Sequence, residues 1–206
     1  MITSARLTRA LLPIAAALAA LTALAIVAID QPVARYQATI APPALWKDGL
    51  AAIDRATGLS GWKWLPTTVI AGVALLALAL PPLRRARRGL GLLALVHVAT
   101  KLTLFVLKPG LGRLRPGQWL ARGGDATFGF ADGVAFPSGH TGHYLSIALP
   151  LAVAWPRLGV PLLIVPVFAA TSRLATNAHF VSDVTGAAAL VVAFTWVAAR
   201  ALRLDR

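Results

Sequence analysis

Among the chain's 206 residues, the densest group of side chains able to do chemistry is Ser172-Arg173-Leu174-Ala175-Thr176-Asn177-Ala178-His179-Phe180-Val181-Ser182-Asp183, set in surroundings of Ala, Val, Leu and Phe. His179 and Asp183 are four apart. On a helix that spacing puts them on one face, a turn from each other. There a carboxylate can accept the Nδ1–H of the imidazole and leave Nε2 free as a nucleophile or base. Arg173 adds a planar cation suited to a phosphate. Taken alone, His-x-x-x-Asp also reads as a structural ion pair, so the rest of the chain has to decide between the two.

Two further clusters weigh in. Lys108-Pro-Gly-Leu-Gly-Arg113-Leu-Arg115-Pro116 separates a Lys from an Arg-Pro by six residues. Pro137-Ser138-Gly139-His140 stands just ahead of an apolar run. A Ser-Gly pair at a helix start offers backbone N–H groups and a hydroxyl to an anion, helped by the helix dipole. His140 would then stand beside that anion as a proton donor. Each cluster has a plain explanation by itself: basic side chains reaching for water in the first, an ordinary helix cap in the second. Together they gather Lys108, Arg115, Arg173, Ser138, Gly139, His140 and His179 on one side of the protein.

The elements that must position these residues are apolar. Hydrophobic residues make up 58% of the chain, and the mean hydropathy is +0.73. Several runs approach the ~20 residues that cross a bilayer. The expected fold is an all-α polytopic membrane protein of one domain, residues 1–206, with the motif-bearing core at about 89–200. Six spans are expected, at about Ala10–Ile29, Pro66–Leu83, Gly89–Leu107, Gly142–Trp155, Gly159–Thr171 and Val181–Arg200. The first could be read as a signal peptide, but its run exceeds the usual ~7–15 residues, which favours a retained helix. Residues 30–65 form a polar-leaning interfacial connection. Within it Trp46, Leu50 and Ile53 fall at helical spacing, as in an amphipathic helix lying in the membrane interface; a packed loop fits as well.

The net charge of +13 comes from 20 basic and 7 acidic residues. The basic residues fall at the ends of apolar runs or inside the motifs, so topology and anionic headgroups account for them and a nucleic-acid partner is not expected. Arg84 to Arg88, Arg157, and Arg200, Arg203 and Arg206 mark the cytoplasmic side under the positive-inside rule. Both termini are then cytoplasmic, and the Gly- and Pro-rich loop from Lys108 to Gly139 lies on the outer face. The absence of cysteine excludes thiolate chemistry.

The three clusters resemble the signature of the phosphatidic acid phosphatase type 2 superfamily, the lipid phosphate phosphatases related to vanadium haloperoxidases. That signature reads Lys-x6-Arg-Pro, Pro-Ser-Gly-His and Ser-Arg-x5-His-x3-Asp, and it is complete here at Lys108–Pro116, Pro137–His140 and Ser172–Asp183. The resemblance implies a six-helix membrane core with its active site at the outer surface. It implies that His179 attacks phosphorus to give a phosphohistidine, that Asp183 orients His179, and that His140 protonates the leaving oxygen. Lys108, Arg115, Arg173, Ser138 and the Gly139 amide would hold the phosphate oxygens. Three cations and a helix N-terminus can stabilise a phosphoryl transition state in place of magnesium. No cofactor and no metal are expected: Asp183 is engaged, and Asp125 and Asp132 stand alone.

The expected partners are the bilayer and a lipid phosphate: undecaprenyl diphosphate, phosphatidylglycerol phosphate, phosphatidic acid or a lipid A phosphate. Composition and size point to a bacterial inner membrane. A phosphotransferase would use the same phosphohistidine, and a non-catalytic lipid-binding protein could use the same helices. Finally, His97 and Lys101 lie inside the third apolar run, with Lys101 seven residues before Lys108. Charge within a span usually faces the protein interior or a polar cavity. The pair either extends the phosphate pocket toward a second anionic group or is structural.

Overall fold

The computed structural model describes residues 3–124 and 131–204; Asp125 and Arg206 therefore lie outside the described residues. The described chain is helical. It runs through α1 (Ser4–Leu24), a π-helical turn at Ala25–Ile29, α2 (Asp30–Ala38), α3 (Ala44–Ala56), α4 (Leu65–Ala79), α5 (Arg87–Leu111), α6 (Pro116–Ala121), α7 (Gly139–Ala154), α8 (Pro156–Leu162), α9 (Ile164–Ala175) and α10 (Val181–Ala201).

Each of the six apolar runs is helical, the fifth as two successive helices. Four helical stretches are long and apolar enough to cross a membrane: Ser4–Ala38, Arg87–Ala121, Pro156–Ala175 and Val181–Ala201. α4 has 15 residues and α7 has 16. A helix of that length reaches only about 24 Å, short of the ~30 Å hydrocarbon core. The fifth run is lengthened by α8 continuing into α9. The first runs on past Ile29 as α2, through the π-helical turn at Ala25–Ile29; Pro32 stands in the first turn of α2, where a proline is tolerated.

α7 holds the centre. Leu149 and Val153 of α7 pack with Leu92 and Val96 of α5, Val191 and Val192 of α10, and Leu11 and Ala15 of α1 in one buried cluster. The outward faces are apolar as well: Val27, Phe105, Leu75 and Ile164 are between 67% and 86% exposed. A soluble bundle would carry charge there, so the surface has the character of one solvated by lipid. At the turn before α5, Arg87 donates from Nε to the Ala77 carbonyl (2.8 Å) and from Nη2 to that of Leu78 (2.7 Å). One residue of the basic cluster thus satisfies the orphan carbonyls that end α4.

α3 is amphipathic as its spacing indicates, but its apolar stripe faces protein. Leu50 is buried with Tyr144 and Ala169, flanked by Ile53 and Phe168, and the Trp46 ring lies 5.3 Å from that of Phe168. The Ser172 hydroxyl donates to the Trp46 carbonyl at 2.6 Å. α3 is therefore clamped across the ends of α7 and α9, where the motif residues are.

Candidate active site

His179 lies in the turn between α9 and α10, and Asp183 in the first turn of α10. The turn closes on the Arg173 carbonyl, which accepts the N–H groups of Ala178 (3.0 Å) and His179 (3.2 Å). Asn177 takes a left-handed φ of 50°, a conformation its short polar side chain tolerates, and donates from Nδ2 to the Ala34 carbonyl at 2.9 Å.

One oxygen of Asp183 does two jobs. Its Oδ2 accepts the Phe180 N–H at 2.9 Å, capping α10, and the His179 Nδ1–H at 3.1 Å. A carboxylate only accepts, so the ring proton sits on Nδ1 and Nε2 keeps its lone pair. Burial first, then the charges of Arg173 and Lys108, push the His179 pKa down to about 4, against the pull of Asp183. The imidazole is neutral at neutral pH, the state a nucleophile needs.

Behind this pair stands a second layer. Arg113 Nη1 lies 3.3 Å from Asp183 Oδ1, and Arg113 Nη2 is ion-paired with Asp30. Asp30, fully buried, also accepts the backbone N–H (2.9 Å) and the hydroxyl of Ser182. Arg113 is thus buried between two carboxylates, the arrangement that offsets the cost of removing charge from water.

The anion-binding side is built by turns. Gly112 ends α5 at a φ of 53°, a conformation that costs glycine little, and the reversal sets Lys108 and Arg115 on either side of it. Lys108 Nζ donates to the Val134 carbonyl at 2.8 Å. It also leans over the start of α7: a Cβ placed on Gly139 would stand 3.9 Å from that nitrogen. Ser138 caps α7 and donates its N–H to the Asp183 carbonyl at 2.8 Å, locking the starts of α7 and α10 together. Its hydroxyl accepts from Thr141 at 3.1 Å.

A cavity of about 590 Å³ gathers His179, His140, Gly139, Lys108 and Arg115, with Lys63, Trp64, Lys101, Leu104 and Phe105 on its flank. Arg173 lines a neighbouring hollow, and Asp54 borders both. Arg173 Nε is buried and has no hydrogen-bond partner among the described residues. Ser138 is fully buried and is not part of the cavity lining.

The stripe expected from His97 through Lys101 to Lys108 divides. Lys101 reaches the cavity, its ammonium 3.3 Å from the Lys63 carbonyl and 5.3 Å from the Trp64 ring centre. His97 does not: it is fully buried between the hydroxyls of Thr67 (3.0 Å) and Ser146 (2.8 Å). Four residues of helix turn the face by about 40°, enough to point His97 at α4 and α7.

Sequence reasoning left out Asp30, Lys63 and Arg113, whose roles depend on contacts far along the chain. Nor did it single out Asp54 on α3. Asp54 accepts the Tyr144 hydroxyl at 2.5 Å and stands 3.1 Å from His140 Nε2. Its spacing held a signal, because Asp54 is four residues after the buried Leu50 and shares its face.

Fold and site together define an all-helical protein of membrane character, with a histidine–carboxylate pair and clustered cations at one end of its bundle. The model of the PAP2 superfamily matches residues 89–205, and the chain belongs to that superfamily. Membership brings phosphatase character, toward phosphates of lipid type. No curated protein and no solved structure matches the chain. Among the described residues, no group of three or more His, Asp or Glu is placed to hold a metal ion.

Proposed function

We propose that the protein hydrolyses a lipid phosphate or diphosphate at a membrane surface, without a metal, through a phosphohistidine on His179. The observation that carries this reading is the His179 Nδ1–Asp183 hydrogen bond at the wall of a cavity that also holds Lys108, Arg115 and His140. In the proposed reaction, Nε2 of His179 attacks phosphorus while Asp183 stabilises the charge appearing on the ring. Lys108, Arg115, Arg173 and the Gly139 N–H receive the equatorial oxygens, where the charge of the transition state is spread. His140 gives a proton to the leaving oxygen, then takes one from the water that hydrolyses the phosphohistidine.

The cavity supports a preference in substrate. Lys108 and Arg115 suffice for the reacting phosphate with Arg173, which leaves Lys63 and Lys101 beside Trp64 for a second anionic group. Lipids with a second phosphorus, such as undecaprenyl diphosphate or phosphatidylglycerol phosphate, suit it better than phosphatidic acid; lipid A phosphates come next. Six spans with both termini in the cytoplasm, in a bacterial inner membrane, would set the cavity at the outer surface.

The test is phosphate release by the purified protein from a panel of these lipids in EDTA, with and without vanadate, which adopts the trigonal-bipyramidal shape of the transferring group. Release that survives chelation and is blocked by vanadate is expected. A strict magnesium requirement overturns the metal-free mechanism. Release that needs an acceptor lipid makes the protein a phosphotransferase.

A further inference from the structure

The residue facing His140 comes from outside the stretch that matches the family. Asp54 belongs to α3, and α3 is fixed by Leu50 beneath Tyr144 and Ala169. The Asp54 carboxylate is held in turn: Oδ1 accepts the Tyr144 hydroxyl at 2.5 Å, and Oδ2 stands 3.1 Å from His140 Nε2. The Tyr144 oxygen lies 3.2 Å from the Thr57 hydroxyl, one turn after Asp54. Tyr144 follows His140 by one turn of α7. Two helices therefore present a matched pair of contacts: one carboxylate joined to a histidine and to the tyrosine below it.

We infer that Asp54 is a positioning residue for His140, completing a second histidine–carboxylate pair that serves the acid step as His179–Asp183 serves the nucleophilic one. The inference rests on the phosphatase reading above. A carboxylate accepts only, so His140 donates Nε2–H to Asp54 and the proton for the substrate is carried on Nδ1, which has no hydrogen bond to a described residue. As the His179 Nε2–phosphorus bond forms and the phosphorus–oxygen bond to the lipid breaks, Nδ1–H passes to the departing alkoxide. Neutral His140 then takes a proton from the attacking water, and the imidazolium is restored.

The charges around His140 make such a partner necessary. Burial first, then Arg173 from α9 and, more weakly, Arg115 ahead of α6 act against a positive imidazole, and His143 lies on its own helix; Asp54 is the anion set against them. Among the described residues lining the cavity, Asp54 is also the one carboxylate. In a pocket made to attract phosphate, a carboxylate weakens substrate binding unless it has work to do. Supplying a held proton donor is such work.

Asp54→Asn keeps the size and the contact with Tyr144 but removes the charge. The experiment compares two substrates in the purified full-length protein. An alkyl lipid phosphate needs a proton on its leaving oxygen, whereas p-nitrophenyl phosphate releases a stable phenolate without one. The variant should lose about 10²-fold or more in kcat on the lipid, the usual worth of a general acid, and less than about tenfold on the aryl ester. The alkaline limb of its pH–rate profile on the lipid should move to lower pH, because an imidazolium without its anion gives up its proton sooner. Tyr144→Phe, which frees the carboxylate without removing it, should show the same selectivity at smaller size and serves if the asparagine variant does not fold. Equal losses on both substrates, or an unmoved alkaline limb, overturn the role of Asp54. Wild-type protein that releases no phosphate from either substrate overturns the phosphatase reading instead.

Discussion

Arg113 Nη1 stands 3.3 Å from Asp183 Oδ1, on the oxygen that His179 does not use. The carboxylate is thereby held from both sides, by an imidazole and by a guanidinium that is itself anchored on Asp30. Asp30→Asn should leave Arg113 with a single anion among the described residues and draw Asp183 away from His179. The expected result is a fall in kcat with KM little changed. Arg113→Met should be worse, because it buries two facing carboxylates; a broken buried pair costs about 3–5 kcal/mol, readable as a lower thermal midpoint in detergent. Normal kcat in Asp30→Asn would make this layer purely structural.

His179→Ala should abolish turnover in a protein that still folds and binds substrate. Asp183→Asn should cost less, up to about 10⁴-fold, because it misorients the ring without removing it. Acid-labile labelled phosphoenzyme should appear after rapid quenching of the wild type and be absent from His179→Ala. Near-normal activity in His179→Ala would end the mechanism proposed here.

The His179 pKa of about 4 lies below the ordinary value of 6.5, and the sign of its effect follows. Between those values the unfolded chain holds a proton on this residue that the folded protein lacks, so stability contributed by neutral His179 rises with pH across that window. It is complete above about pH 6.5 and is lost as pH falls toward 4. The thermal midpoint of the wild type should drop over this range, and that of His179→Asn should drop less. On the kinetic side, the acid limb should fall near the bottom of the window. An acid limb centred near pH 6.5 would mean that His179 titrates as if it were in water.

Lys101→Met should raise KM for a diphosphate or an anionic-headgroup lipid about tenfold more than for a simple monophosphate, the scale of one lost contact between charged groups. Lys63→Ala should act in the same direction. His97→Asn should leave the ratio unchanged, since His97 bonds Thr67 and Ser146 away from the cavity. Equal KM changes on both lipids would return Lys101 to a structural role.

The proposed orientation can be read by chemistry, because the chain has no cysteine. A cysteine replacing Arg85 should be protected from an impermeant thiol reagent in intact cells, and one replacing Asp132 should be labelled. The reverse pattern would place the cavity on the cytoplasmic side.

Local pattern revealed what local physics decides. Each of the six apolar runs is helical because apolar length is set by neighbouring residues alone, and the His179–Asp183 bond follows from a spacing of four on one turn. The same reasoning separated Lys101 from its surroundings as a polar residue with somewhere to go. It did not separate His97 from Lys101, since a stripe on one helix does not reveal where the neighbouring helices lie. The partners of Asp30 and Asp54 were out of reach for a related reason. These partners, Arg113 and Ser182 for one and His140 and Tyr144 for the other, stand more than 80 residues away along the chain, and only the packing of α2 and α3 brings them near. The length of Ser4–Ala38 was missed because a polar dipeptide before a proline looks like an end, whereas Pro32 falls in the first turn of α2, where a proline is tolerated.

The burial of Asp30 also sets an order of events during synthesis. Its carboxylate is made early, at the start of α2, and the cation and the donors that will bury it come 83 and 152 residues later. A lone carboxylate is costly to leave ionised in an apolar setting, so on the proposed membrane reading Asp30 should stay in water or take up a proton until the later helices arrive. Only when α10 is delivered and Ser182 docks can Arg113 be drawn between its two anions and Asp183 be turned toward His179. On the proposed mechanism the nascent protein would stay inert until its last helix arrives, and the bilayer would meet no half-built reactive histidine.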